Sequence, residues 1–248
     1  TLALMKKLLF FLVLLPLLLI TGFVLWALTP PAPLEEAQRA LASNPWVEIQ
    51  TQPWITFSPL EHPKTTGLIL YPGGRIDPRA YAPAAAAIAS SGYLVVIVPM
   101  PLNLAVLDPQ AGAEVIAGHP EIENWAIGGH SLGGAMAASF AHAHPEQVDG
   151  LVLWAAYPAR KDDLSQNQLE VVSIFASLDG LADLKQIQAS QSLLPKSTEW
   201  IEIEGGNHSQ FGWYGNQWGD NPAAISRSEQ QREVIQTTLD LLARIDKE

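Results

Sequence analysis

Trp125-Ala126-Ile127-Gly128-Gly129-His130-Ser131-Leu132-Gly133-Gly134 is the stretch on which the fold turns. An apolar, strand-like run stops at two glycines, a serine follows, and an Ala-rich helical stretch, Leu132–His142, starts at once. Gly129, Ser131 and Gly133 form Gly-x-Ser-x-Gly. A serine on so sharp a strand-to-helix turn takes a strained backbone, and small residues two before and two after prevent clashes. The turn lifts the hydroxyl above the strand end, where the positive N-terminus of the next helix points at it.

Working outward, β-branched or aromatic runs predict strands at 46–50, 54–57, 67–71, 93–98, 125–129, 151–155, 171–176 and 200–203. Helical stretches fall between them at 83–91, 109–117, 132–142 and 182–193, with a last helix at 226–245. That helix opens on a capping-box pattern, Ser226 to Glu229, and its apolar residues share one face. Unbroken apolar strands such as Leu94-Val95-Val96-Ile97-Val98 need a sheet covered on both faces. Alternation with helices then predicts an α/β fold with a mostly parallel, doubly wound sheet. The first two strands form its antiparallel edge.

A serine hydroxyl is a poor nucleophile until a base takes its proton, so a histidine and an orienting carboxylate should follow. His208, in Glu204-Gly205-Gly206-Asn207-His208-Ser209, comes just after a predicted strand and so at the same sheet edge as Ser131. His130 is too close in sequence to fold back, and His142 and His144 lie roughly 15–20 Å along the helix at ~1.5 Å per residue. His62 and His119 precede the serine in surface-like loops. For the acid, Asp179 lies in the loop after the 171–176 strand, whereas Asp183 starts the next helix. Asp162 and Asp163, after the preceding strand, are weaker candidates. An oxyanion needs amide donors. Leu132 supplies one, and Pro72-Gly73-Gly74-Arg75 supplies the other, through Gly74 or next through Arg75.

At these residues the chain resembles the α/β-hydrolase superfamily, over roughly residues 46–245. It carries Gly-His-Ser-Leu-Gly, the Asp179-Gly180 loop and the Gly-Gly-Asn-His208 loop, in the order Ser, Asp, His. It is most similar to compact members of the dienelactone-hydrolase-like group. Those with the name activity use a cysteine, and this chain has none, so lactone specificity does not carry over. Only about 15 residues, roughly 156–170, separate two strands where larger members insert a lid. The resemblance therefore implies an open site and a cofactor-independent serine hydrolase acting on a small ester or acyl substrate. A non-catalytic scaffold, an acyltransferase and a peptidase are the alternatives.

Three further residues are candidate pocket groups. Trp213 and Tyr214, after His208, would wall an acyl pocket or else pin their loop. Arg75 would bind a substrate carboxylate or else pair with Asp77.

The chain has 248 residues, 48% hydrophobic and 16% charged, with a net charge of −11. Such a composition excludes a disordered chain and argues against nucleic-acid binding, which needs a basic face. No cysteine and no His/carboxylate spacing speaks for a metal site. Leu8 to Leu28 has no charge and as a helix would span ~31 Å, enough for a bilayer core. Lys6 and Lys7 precede it, so the positive-inside rule predicts a single-pass anchor with a cytoplasmic N-terminus (1–7) and the catalytic domain outside. A cleaved signal and a secreted enzyme form the rival reading. Pro30, Pro31 and Pro33 then predict a stiff tether over 29–45 leading to a hydrolase domain at 46–248. Without Lys6 and Lys7 the count is 12 basic against 25 acidic residues, or −13. An anionic surface repels such a domain, which predicts soluble or neutral substrates rather than the bilayer.

Overall fold

The computed structural model of the chain describes residues 2–246, with side chains from residue 12 onward. A long helix, α1 (Leu2–Leu28), and a short one, α2 (Glu35–Arg39), lead into an eight-stranded sheet. The strands are β1 (Val47–Gln50), β2 (Ile55–Pro59), β3 (Thr66–Tyr71), β4 (Leu94–Ile97), β5 (Asn124–His130), β6 (Gly150–Trp154), β7 (Glu170–Ala176) and β8 (Glu199–Ile203). Helices α3 (Ala82–Ala89), α4 (Gly112–Gly118), α5 (Leu132–Ala143), α6 (Leu184–Ala189) and α7 (Arg227–Ile245) lie between or after them. Each of the eight predicted strands is present. β1 and β2 are the antiparallel edge, and every pair from β4 to β8 is parallel.

Period-two alternation explains why the apolar strands have no polar face. Leu68, Leu70, Val95, Ile97, Val152 and Trp154 face a core shared with α3 and α7. Their neighbours Ile69, Tyr71, Val96, Val98, Leu151 and Leu153 face a second core shared with α4 and α5. Both sides of the pleat are therefore covered.

The strand order is β1-β2-β4-β3-β5-β6-β7-β8. From β3 the chain turns outward to β4, and from β5 it proceeds the other way. The order thus reverses between β3 and β5, and in open α/β sheets the crevice at the C-terminal ends of such a pair is where ligands bind. The loops leaving that crevice are Pro72–Arg75 and the Ser131 turn.

α1 differs from the other helices. Leu17, Leu18, Leu19 and Ile20 are all more than half exposed, and four consecutive positions sweep the whole circumference. Among the described residues no helix is long and apolar enough to cross a membrane. The described side chains of α1 begin at residue 12, so Leu8 to Phe11, the start of the predicted span, lie outside them. The segment 29–45 is docked rather than free. Leu34 N–H donates to Trp213 O (2.8 Å), Pro33 bridges Tyr214, and Ala37 of α2 is fully buried. Pro30, Pro31 and Pro33 keep it extended, and extended chain suits a strand-like bridge.

Candidate active site

Close packing at the β5–α5 junction dictates its glycines. A Cβ on Gly133 would fall 2.2 Å from the Tyr71 carbonyl oxygen, and one on Gly129 2.6 Å from the same atom. Between them Ser131 takes φ 53° and ψ −121°, a sparsely populated conformation that surrounding structure must impose. Its N–H is held by Trp154 O (2.9 Å) and its carbonyl accepts from Ala135 N–H (3.1 Å). Its hydroxyl is half-buried and bonds to no described group.

His208 and Asp179 lie at the ends of β8 and β7, and the structure brings them together. His208 Nδ1 and Asp179 Oδ2 are 2.8 Å apart, with both side chains essentially excluded from solvent. The other carboxylate oxygen, Oδ1, accepts from Leu181 N–H (2.8 Å) and Ala182 N–H (2.7 Å). A buried carboxylate with that many donors is fixed in place. Asp183 caps α6 by accepting from Lys185 N–H, and Asp162 is buried apart from the pair. His142 and His144 bond to Asp163 O and Gln110 near the far end of α5.

The glycine loop after β3 discriminates between its own amides. Gly73 N–H donates to Tyr81 Oη (2.9 Å), and Arg75 N–H donates to Asn103 O (2.7 Å). Gly74 N–H donates to no described group, and neither does Leu132 N–H in the first turn of α5. The two residues are neighbours, since a Cβ on Gly74 would meet Leu132 Cδ2 at 3.1 Å. Two neighbouring residues beside Ser131 thus each keep an N–H without a described acceptor.

Two groups escape a reading of the sequence. Asp220 Oδ1 accepts from Gly180 N–H (3.0 Å) and His208 N–H (3.3 Å). Its Oδ2 accepts from Ser209 N–H (2.7 Å) and Ser209 Oγ (2.6 Å). One carboxylate therefore ties the Asp179 loop to the His208 loop. The sequence signal is only an acidic residue without a basic neighbour at the end of an uncharged loop. The second group is Tyr81. Its hydroxyl accepts from Gly73 N–H and shares a hydrogen bond with His130 Nδ1 (2.9 Å). The His130 ring lies 4.4 Å from that of His208. Burial, and then the charge of His208, hold the His130 pKa well below the usual histidine range. A neutral His130 puts no positive charge beside the His208 ring.

Beside Ser131 lies an open pocket of about 280 Å³ whose lining includes Leu132, Ala135, Ala156, Tyr157 and Leu181. Trp213, Tyr214 and Arg75 do not line it. Tyr214 is buried, Trp213 N–H donates to Ala80 O (2.7 Å), and the two hold their loop against the domain and the 29–34 segment. Arg75 does not pair with Asp77, which binds Arg79 instead (2.6 Å). Its Nε donates to Trp26 O (2.7 Å) and its Nη2 to Thr29 O (2.8 Å), at the C-terminus of α1. That end carries the negative pole of the helix and attracts a cation.

The model of the alpha/beta hydrolase family matches residues 67–232. No curated protein matches the sequence. Among solved structures, the esterase domain of a Rhodothermus marinus protein is 12% identical. The match covers 78% of this chain and 93% of that one, with a TM-score of 0.60. An arylesterase is 15% identical over 86% of this chain and 90% of its own, with a TM-score of 0.59. A metagenome-derived lipolytic enzyme described with LipS and LipT is 13% identical over 73% and 95%, with a TM-score of 0.59. At these identities the likeness is one of fold.

Proposed function

The chain belongs to the alpha/beta hydrolase family, and on that premise we propose that it is a membrane-anchored serine hydrolase of carboxylic esters. The observation that carries the reading is the buried Asp179–His208 pair at the sheet edge that also presents Ser131 on its strained turn. In the reaction Ser131 Oγ attacks the ester carbonyl while His208 Nε2 takes the hydroxyl proton. Asp179 holds Nδ1–H and so fixes the tautomer in which Nε2 is the base. The N–H groups of Leu132 and Gly74 receive the oxyanion. His208 returns its proton to the departing alcohol, and water, activated by the same imidazole, releases the acyl group from Ser131. The Ser131 hydroxyl must turn toward His208 to begin, a bond that commonly tightens only once substrate is bound.

The anchor rests on α1. A helix apolar on every side has no partner in water and belongs in a protein core or a bilayer. With Lys6 and Lys7 ahead of it, the N-terminus stays in the cytoplasm and the catalytic domain faces outward.

A fluorophosphonate probe tests the chemistry. The full chain should be labelled at Ser131, and Ser131→Ala should abolish labelling while lowering kcat on an aryl ester ~10⁴–10⁶-fold. Labelling that survives Ser131→Ala sinks the assignment.

A further inference from the structure

We propose that the catalytic edge of the sheet rests on the membrane and draws an uncharged or zwitterionic lipid ester from the bilayer that holds α1. This rests on reading α1 as the anchor and Ser131 as the nucleophile.

The first argument is the way the anchor meets the domain. The last turn of α1 is bolted to the loop that carries Gly74, with no spacer between. Arg75 takes the Trp26 and Thr29 carbonyls, with its guanidinium 4.5 Å from the centre of the Trp26 ring. Asn103 Nδ2 donates to Ala27 O (2.9 Å), and Asn103 O in turn accepts from Arg75 N–H. Trp26 and Ala27 belong to the apolar span itself. If the span ends at the hydrocarbon boundary, the Gly74 loop lies one hydrogen bond from the interface. A tryptophan there matches its preference for headgroup depth.

The second argument is the surface around that bolt. Met100 to Leu107, immediately beside it, reads MPLNLAVL without a charge, and Val106 and Leu107 are each 52% exposed. Across the Ser131 pocket Leu181 is 39% exposed. Gly219 packs so close to it that a Cβ there would meet Leu181 Cδ2 at 3.1 Å, and the adjacent Trp218 is 96% exposed. Scattered exposed apolar residues are ordinary. These four lie in loops at the C-terminal edge of the sheet, where α1 arrives, and Leu181 itself lines the Ser131 pocket.

The opposite edge mixes two exposed apolar residues, Trp46 and Leu60 at its β1–β2 corner, with paired charges. Lys64 pairs with Asp246 there, and Arg244 with Glu170 and Glu199. The net −13 of the domain by itself predicts substrates away from the bilayer. Once α1 holds the domain at the surface, that charge acts only against anionic headgroups, and so selects neutral or zwitterionic lipids.

Because the chain has no cysteine, single cysteines report cleanly. The full chain would be placed in phosphatidylcholine nanodiscs that contain a nitroxide lipid. An NBD label would be attached in turn at Leu19→Cys, Leu107→Cys, Trp218→Cys and Glu123→Cys. Quenching at 19, 107 and 218 but not at 123 is expected. Quenching at 19 with none at 107 and 218, or with strong quenching at 123, overturns the orientation and leaves the anchor standing. No quenching at 19 overturns the anchor and the orientation together. Val106→Glu combined with Leu107→Glu should cut turnover of a bilayer-embedded neutral ester at least tenfold, with a short water-soluble ester unaffected. Equal turnover of both esters by that variant and the parent overturns the lipid substrate. Loss of the soluble activity in the parent chain sinks the hydrolase reading instead.

Discussion

The two edges of the sheet are built from the same strands and do opposite things. At the N-terminal edge, side chains are paired with each other. Arg244 reaches Glu170 and Glu199, and Thr66 Oγ1 joins Lys64 on Asp246. At the C-terminal edge, charged side chains hold backbone instead, Asp179 and Asp220 accepting from loop N–H groups and Arg75 taking helix carbonyls. Ser131, Arg75, Leu102 and Asn103 all have positive φ there, and the Gly74 and Leu132 amides are left open. The C-terminal edge keeps unpaired amides and strained backbone where chemistry can use them. Stability and reactivity are thus separated by the length of a strand.

That separation can be broken in four ways, from the largest effect to the smallest. Gly133→Val should unfold or fail to fold the domain. Its side chain meets the Tyr71 carbonyl, a backbone atom that cannot yield, so the cost exceeds the ~1–3 kcal/mol typical of overpacking. Thermal denaturation checks it. Asp220→Ala should leave the fold intact and lower kcat about 100-fold, because a shift of ~1 Å in His208 suffices for that. Steady-state kinetics beside a circular-dichroism melt separates the two effects. Tyr81→Phe strips partners from Gly73 N–H and His130 Nδ1 and should cost about 1–3 kcal/mol of stability in a urea titration. Arg244→Ala, on the other edge, should cost under ~1 kcal/mol and leave kcat unchanged, as for other half-exposed ion pairs.

Acid sharpens the same contrast. His130 is held neutral in the folded state, with its pKa below the unfolded value of 6.5. The unfolded chain therefore binds the extra proton first as pH falls. Its contribution to stability is complete above pH 6.5 and is lost progressively below it. His130→Gln should flatten that part of the stability–pH curve, measured as urea midpoints between pH 7 and 5.

Most of the fold was legible because strands report themselves through local composition. What the sequence concealed was short or distant. α2 is five residues with a single buried side chain, Ala37, too little for a period to show. The predicted helix over 182–193 is α6 to Ala189 and then tightens to a 3-10 turn over Ser190–Leu193, where Ser190 and Ser192 turn their hydroxyls back to Ile187 O and Ala189 O. Hydroxyls that compete for backbone carbonyls weaken a helix in this way. Ser131, His208 and Asp179 were legible as strand-end residues with recognisable chemistry. Asp220 was not, because its partners are backbone N–H groups, one of them forty residues away. Arg75 was placed beside the right loop but on the wrong partner. Its acceptors are carbonyls 46 and 49 residues upstream, which no local pattern encodes.

The Arg75–Trp26 bond also bears on how the enzyme would be prepared. Trimming the N-terminal helix to obtain a soluble protein starting at residue 34 deletes every carbonyl that Arg75 and Asn103 hold in that helix end. The guanidinium then turns to water, and the strained backbone at 75 and 102–103 loses its outer brace. Rate constants from such a shortened protein describe a looser Gly74 loop than the one α1 braces.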